Sequence, residues 1–325
     1  MGDILNYKDK FNKERLKLSL ILKDKNEFSK FKMKAFIELL FTINMIEEGT
    51  FTRLEILNFV QEKTTSNGHS FWQYLILFNF MNTLEFVFEN YKKITLDSFF
   101  LQKLNKMIFE KMDIEAGQYR KARINSPLKI KRVETKDILS EMKEFDDFLN
   151  KKGEDALSFA FEAHYKFLTI SPFKKGNFYI AFLLLTLICL KNGYLPIVLR
   201  SIDKKRYFEV MENYQLKNKK EAYYSFMRSA LSRSFQLLAE KSFNEENKDN
   251  LLTIAKFAKL CDVPVSTIRY WMKEGHIKPA LFTPSGYALF DENQKIDIQE
   301  AKLTKMISKC MSSLKKGIEK ASGQS

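Results

Sequence analysis

Cysteine, histidine and tryptophan are scarce in this chain of 325 residues, with three, three and two of each. Cys189, Cys261 and Cys310 lie far apart in sequence, and His69, His164 and His276 stand at no ligand spacing to them or to each other. That argues against a disulfide framework and against structural zinc, so no metal and no cofactor is expected. His69 and His164 read as core or surface histidines without a ligand role. Glycine (11) and proline (6) are also few, and internal repeats and low-complexity tracts are missing. The apolar run at 180–190 is too short to span a bilayer, and the N-terminus lacks a basic n-region followed by an apolar core. A soluble cytoplasmic protein with no membrane partner is the expectation.

What the chain has is phenylalanine (30 residues), 45% hydrophobic residues and a net charge of +14. Apolar residues recur at three- and four-residue spacing over 27–47, 70–92 and 156–170, which predicts a mainly α fold with a sizeable core. The polar, Asn-rich stretch KSFNEENKDN reads as a linker at 241–250. It separates a helical domain at 1–240 from a compact unit at 251–295 and a basic amphipathic helix at 296–325. In that tail Leu303, Ile307, Cys310, Leu314 and Ile318 form one apolar stripe, which needs its own domain, a second copy of the chain, a nucleic acid or a membrane surface to cover it. Six Lys stand against one Glu in 301–325, whereas 251–300 is balanced at six basic and six acidic residues. Around 123–137, Leu128, Ile130 and Val133 alternate with Lys129, Lys131 and Arg132, which predicts a small β flap, either a hairpin or an extended segment.

The stretch ISPFKKGNFYIAFLLLTLICL, 170–190, runs from a polar turn straight into an apolar helix. Free N–H groups at a helix N-terminus make such a turn a phosphate cradle, with Gly176 and Asn177 at the turn and Lys174 and Lys175 adding charge. The plainer reading is a scaffold turn in which Pro172 and Phe173 pack and Gly176 bends the chain.

Ser171, Pro172, Phe173, Gly176 and Asn177 resemble the signature HPFxDGNGRxxR of Fic-domain proteins, which typically transfer AMP or a related group to a target hydroxyl. Gly117, Gln118, Tyr119 and Arg120 resemble the family's GxYR element, and FNFMNTLEFVFENYKKIT resembles the helix upstream of it. Asn44, Ile46, Glu47 and Thr52 in NMIEEGTFT resemble the family's inhibitory segment SNxIEGNxLT. The resemblance spans most of 30–215 with the elements in order, and implies a Fic-like helical domain.

The departures fall on the chemistry that the resemblance implies. The family's general base, a histidine, is matched by Ser171, whose hydroxyl accepts no proton near neutral pH. The acid that holds Mg²⁺ is matched by Lys175, which repels a divalent cation. The glycine after the Asn is Phe178, and the two phosphate-clamping arginines are Tyr179 and Phe182, so bidentate phosphate recognition is lost. Glu47, whose counterpart pairs with the second arginine, has lost its partner. A pseudoenzyme of the Fic adenylyltransferase type follows, with Lys174, Lys175, Gly176 and Asn177 as a remnant nucleotide or anion site.

In LLTIAKFAKLCDVPVSTIRYWMKEGHIKP, a short helix from Ile254 to Leu260, a turn at Asp262 and Val263 and a second helix from about Pro264 make a helix-turn-helix. Ser266, Thr267, Arg269, Tyr270 and Lys273 on the second helix, and Lys278 at its end, are candidates for base and phosphate contacts. A Gly-containing turn at 284–286 between short apolar runs predicts a two-stranded wing. VPVSTIRYWMKEGHIKP with TPSGYALFDENQ resembles the winged helix of the MerR family over 252–294, except that the wing's usual Arg is Ala288. That resemblance implies DNA as partner and dimerisation through the helix after the wing. The expected function is a DNA-binding regulator built on a degenerate Fic fold, whose helical domain senses a ligand, binds a protein or scaffolds a homodimer. The alternative is a divergent Fic-type nucleotidyl transferase, or nucleotide-binding switch, acting on protein hydroxyls.

Overall fold

The computed structural model describes residues 18–19, 23, 25–66, 68–151, 155–239, 252–273, 277, 279, 281–282 and 288–290. The chain divides into two compact units, 1–240 and 241–325. The larger unit is helical: α1 (Lys25–Ile46), α2 (Arg53–Glu62), α3 (Phe71–Asn90), α4 (Ser98–Phe109), α5 (Ile138–Asn150), α6 (Ala156–Ile170), α7 (Asn177–Lys191), α8 (Asp203–Lys217) and α9 (Lys220–Ala239). The periodic stretches thus fold as α1, α3 and α6. Local chemistry sets their starts: Thr52 and Ser70 close capping boxes with Glu55 and Gln73, and Asp97 and Asp155 accept from the first turns of α4 and α6.

Helix α7 is the axis of this unit. From Asn177 to Leu190 all its side chains are buried except that of the half-buried Tyr179, as expected of a helix apolar on every face. It packs along α6 and against α1, α3 and α4. His164 lies wholly inside, its Nδ1 2.8 Å from the Tyr223 hydroxyl and its Nε2 3.2 Å from that of Tyr207. Burial pushes its pKa down to about 3, so the ring is neutral and serves packing.

The segment 123–137 takes the extended form of the expected flap and not the hairpin. Leu128 and Ile130 are buried and Lys129 and Lys131 exposed, as the alternation requires, but no strand pairs with it among the described residues. Side chains of α8 take the partner's place: the Lys129 N–H donates to Glu212 Oε1 at 3.0 Å, the Lys131 N–H to Gln215 Oε1 at 2.6 Å, and Gln215 Nε2 donates back to the Lys131 carbonyl at 2.8 Å. It is an extended strap satisfied by a helix.

The smaller unit holds β1 (Leu252–Thr253), α10 (Ile254–Leu260), α11 (Val265–Lys273), β2 (Leu281–Phe282) and β3 (Ala288–Phe290). Its antiparallel sheet has the order β1-β3-β2, with Leu252 opposite Phe290 and Leu281 opposite Leu289. The wing pair thus gains a third strand from the start of the unit. Phe257 stacks on Phe290 at 4.6 Å, over a core completed by Ala258, Cys261, Ile268, Trp271 and Ile277. The wing turn, Lys278 and the tail at 296–325 lie outside the described residues.

Candidate functional site

The loop between α6 and α7 is held from three sides. Ser171 ends α6 in the left-handed region at φ 45°, and Gly176 starts α7 at φ 79°. A Cβ on Gly176 would land on the Phe109 ring, so glycine is required there both by conformation and by space. Asn177 folds back on the loop: its Nδ2 donates to the Phe173 carbonyl at 2.7 Å and its Oδ1 accepts the Phe173 N–H at 3.0 Å. Arg120 staples the loop from outside, donating from its backbone N–H to the Pro172 carbonyl, from Nε to the Ser171 carbonyl (both 2.8 Å) and from an Nη to the Val133 carbonyl at 2.6 Å.

Asn105 and Arg132 also hold the loop. Asn105, on the buried face of α4, donates to the Lys175 carbonyl at 2.9 Å and accepts the Gly117 N–H at 2.8 Å. Its signal in sequence was a polar residue in the apolar stripe Leu101, Leu104, Ile108. Arg132 Nε donates to Ser171 Oγ at 3.3 Å.

The residues matched to the Fic signature lie together in this loop and at the head of α7. The Ser171 hydroxyl is buried and donates to the Leu168 carbonyl at 2.5 Å. Lys174 is tied to Glu115 at 2.9 Å and Asp113 at 3.8 Å, and Glu115 raises its pKa. Lys175 is exposed at the rim. The Tyr179 ring stands edge-on to Phe80 and Phe109, at 5.0 and 5.6 Å. Phe182 has no exposure and stands edge-on to His164 at 5.1 Å.

Glu47 reaches the same place from the turn after α1. Asn44 shapes that turn, donating from Nδ2 to the Phe51 carbonyl at 2.7 Å while its own carbonyl accepts the Gly49 N–H, also at 2.7 Å. The Glu47 carboxylate accepts the Phe178 N–H at the head of α7, where the helix dipole favours negative charge. Burial nevertheless pushes its pKa from 4.5 up to about 7, with Glu48 adding to the rise. Burial, and then this carboxylate, raises the Tyr179 phenol in turn.

A cleft of about 350 Å³ opens between these parts, with Glu47, Thr50, Gln73, Asn125, Ser126 and Lys175 among its polar lining. Glu47 is the one carboxylate in that lining, burial keeps it partly protonated near neutral pH with a pKa of about 7, and the exposed Lys175 stands beside it in the lining. The lining therefore does not fit a nucleotide-bound magnesium ion, which wants free carboxylate oxygens beside the phosphates. Among the described residues no cluster of three His, Cys, Asp or Glu can hold a metal, and no helix is long and apolar enough to cross a membrane.

In the smaller unit, Asp262 takes the left-handed conformation at φ 53° in the turn between α10 and α11. Ile268 and Trp271 point into the core. Ser266, Arg269, Tyr270 and Lys273 are exposed and Thr267 half-buried, and the spacing of three, one and three residues puts the exposed four on one face. Helix α11 therefore presents a narrow polar and basic ridge, of the size that a major groove about 12 Å wide admits. Ala288, in β3, is half-buried against the core.

Residues 95–189 match the Fic/DOC family, and residues 253–290 match the MerR family regulatory protein family. The chain is 25% identical over 210 residues to a "Protein adenylyltransferase Fic" of Nematostella vectensis, covering 62% of this chain and 49% of that one. It is 30% identical over 98 residues to "Protein adenylyltransferase fic-1" of Caenorhabditis elegans, covering 29% and 19%. The chain thus spans less than half the length of these curated relatives. Among solved structures, a Fic domain containing signaling protein from Bacteroides thetaiotaomicron superposes with a TM-score of 0.62 at 21% identity, over 70% of this chain and 95% of that one. Fic-1 from C. elegans superposes with a TM-score of 0.63 at 18% identity, over 74% and 72%.

Proposed function

A Fic-fold domain of the Fic/DOC family, followed in the same chain by a MerR-type helix-turn-helix, is the premise from which we propose a DNA-binding regulator whose Fic domain no longer transfers nucleotides. The observation that carries it is the outer face of α11. Ser266, Arg269, Tyr270 and Lys273 stand exposed there, over a core anchored by Ile268 and Trp271. Arg and Lys supply phosphate or guanine contacts, and the hydroxyls of Ser266 and Tyr270 donate to backbone oxygens.

Loss of transfer chemistry is supported by what the head of α7 does instead. The hydroxyl at the base position is committed to a backbone carbonyl, the two clamp positions are packed aromatic rings, and Lys174 is neutralised by acids of its own domain. Nothing at the family's base position takes a proton from a hydroxyl, and nothing at its clamp positions grips a phosphate with two parallel hydrogen bonds. The regulator is tested by titrating the full chain with duplex DNA at several salt concentrations. Log affinity should fall with log salt by about 0.9 per phosphate contact, with a slope of several units. Failure to bind any duplex at low salt sinks the proposal.

One observation favours a second reading, a nucleotide-binding switch. The cleft beside Gly176 and Lys175 is open, and its roughly 350 Å³ lies within the range of small-molecule sites. Thermal stabilisation by a nucleoside triphosphate, equal with and without magnesium and lost in Asn177→Ala, would support it. No stabilisation at millimolar nucleotide would remove it.

A further inference from the structure

Glu47 lines the cleft beside α7 as a carboxylate without a cation of its own. Its neighbour Glu48 is exposed and stands 3.7 Å from Lys204. Glu47 is the more buried of the two, and among the described residues no ion pair reaches it; the charge acting on it is that of Glu48, of the same sign. The Phe178 N–H fills one of the roughly four lone-pair sites of its carboxylate. Burial pushes its pKa up to about 7, so at pH 8 the cleft holds a negative charge that its surroundings compensate poorly.

The rest of the lining favours one kind of compensation. Phe51, Phe109, Phe178 and Tyr179 bring four aromatic rings to the cleft, and burial keeps the Tyr179 phenol neutral. Aromatic rings attract a cation and pack a flat apolar body. Neither lysine of the lining neutralises Glu47 from inside. Lys174 is held by Glu115 at 2.9 Å and Asp113 at 3.8 Å, and Lys175 is exposed at the rim, where water screens its charge.

We propose that this cleft binds a small organic cation, an amidinium or guanidinium on a flat apolar frame, whose charged head pairs with Glu47 and whose body packs among the rings. An anion would set its charge against Glu47 where little water is left to screen it. A neutral ligand would cover the carboxylate without pairing it, at the cost of desolvating a charged group. A cation meets that cost with charge-assisted hydrogen bonds to the remaining lone pairs. The volume of about 350 Å³ lies at the lower end of small-molecule sites and suits one ring system with its charged head. Such a site needs neither the regulator nor the nucleotide switch to be correct, and its ligand carries the opposite charge to a nucleotide.

The test is isothermal titration calorimetry of the full-length protein at pH 8 with benzamidine, its neutral counterpart benzamide and its anionic counterpart benzoate. Benzamidine should bind at one site with a Kd of ~0.1–1 mM, the affinity of an efficient ligand of that size. Benzamide should bind at least ~10-fold more weakly, for want of charge-assisted bonds, and benzoate should not bind. Glu47→Gln should weaken benzamidine by ~10–100-fold and leave benzamide unchanged, since it removes the charge and keeps an acceptor oxygen. Glu48→Gln, outside the lining, is the contrasting variant and should change benzamidine binding by less than ~2-fold, as expected of a solvent-screened charge. Circular dichroism checks that both variants fold, and the three probes on wild type decide the matter without either. No benzamidine binding at ~10 mM, benzamide or benzoate bound as tightly, or benzamidine binding that survives Glu47→Gln overturns the proposal. ATP bound more tightly than benzamidine also overturns it, and gives the cleft to the nucleotide switch instead.

Discussion

Replacing Glu47 by glutamine distinguishes a carboxylate that has lost its cationic partner from one that still has it. Glu47 accepts a hydrogen bond from the Phe178 N–H, and still its pKa rises from 4.5 to about 7 because burial outweighs that bond. A raised folded-state pKa means that the folded protein binds more protons than the unfolded chain between these values. The group's stability contribution is therefore fully present below about pH 4.5 and is lost as pH rises through about 7. At ~1.4 kcal/mol per pKa unit, the shift costs up to roughly 3 kcal/mol at pH 8, and less once the partial exposure of Glu47 is allowed for. Glutamine keeps an oxygen for the Phe178 N–H and carries no charge.

Glu47→Gln should therefore raise the melting temperature of the larger unit by ~3–10 °C at pH 8 and leave it nearly unchanged below pH 5. Thermal unfolding of both proteins at each pH reads this out directly. The reasoning is refuted if Glu47→Gln destabilises the protein at pH 8, the outcome for a carboxylate paired to arginine, or if the shift is the same at both pH values.

Gly176→Ala should cost about 2–5 kcal/mol, the sum of a left-handed non-glycine residue and a methyl group forced onto the Phe109 ring; a drop of less than ~3 °C in melting temperature would show that the turn relaxes freely. Trp271→Ala should cost ~3–5 kcal/mol in a unit too small to absorb it. DNA binding should vanish while the melting of the larger unit is unchanged, as followed by circular dichroism and duplex titration together.

Helix periodicity made α1, α3, α6 and α7 legible in sequence, since each buries a stripe or its whole circumference. The helix-turn-helix was legible for the same reason: Phe257, Cys261, Ile268 and Trp271 have to share one small core. The strap at 123–137 was legible only in its alternation. Period two says which side chains go inside, whereas the partner for the backbone is set by tertiary structure, here by Glu212 and Gln215 of α8.

At the candidate site, the resemblance to the Fic signature and its inhibitory segment brought Ser171, Lys174, Lys175, Gly176, Asn177 and Glu47 into one place. It held no sign that Glu115 and Asp113 neutralise Lys174, or that Asn105 braces the loop, because these pairings join positions far apart in the chain. The stretch 70–92 showed its helical repeat, but which side of α3 the core takes is decided by the neighbouring helices.

The central claim, that the function resides in α11 rather than at the head of α7, is tested most directly by selecting DNA from a random duplex pool with the full-length protein and repeating the selection with Arg269→Ala. The account predicts enrichment of a defined site by wild type. It predicts affinity for that site lower by ~1–3 kcal/mol in the variant and a salt slope smaller by about one unit. Enrichment of no sequence, or a site bound equally well without Arg269, would contradict it.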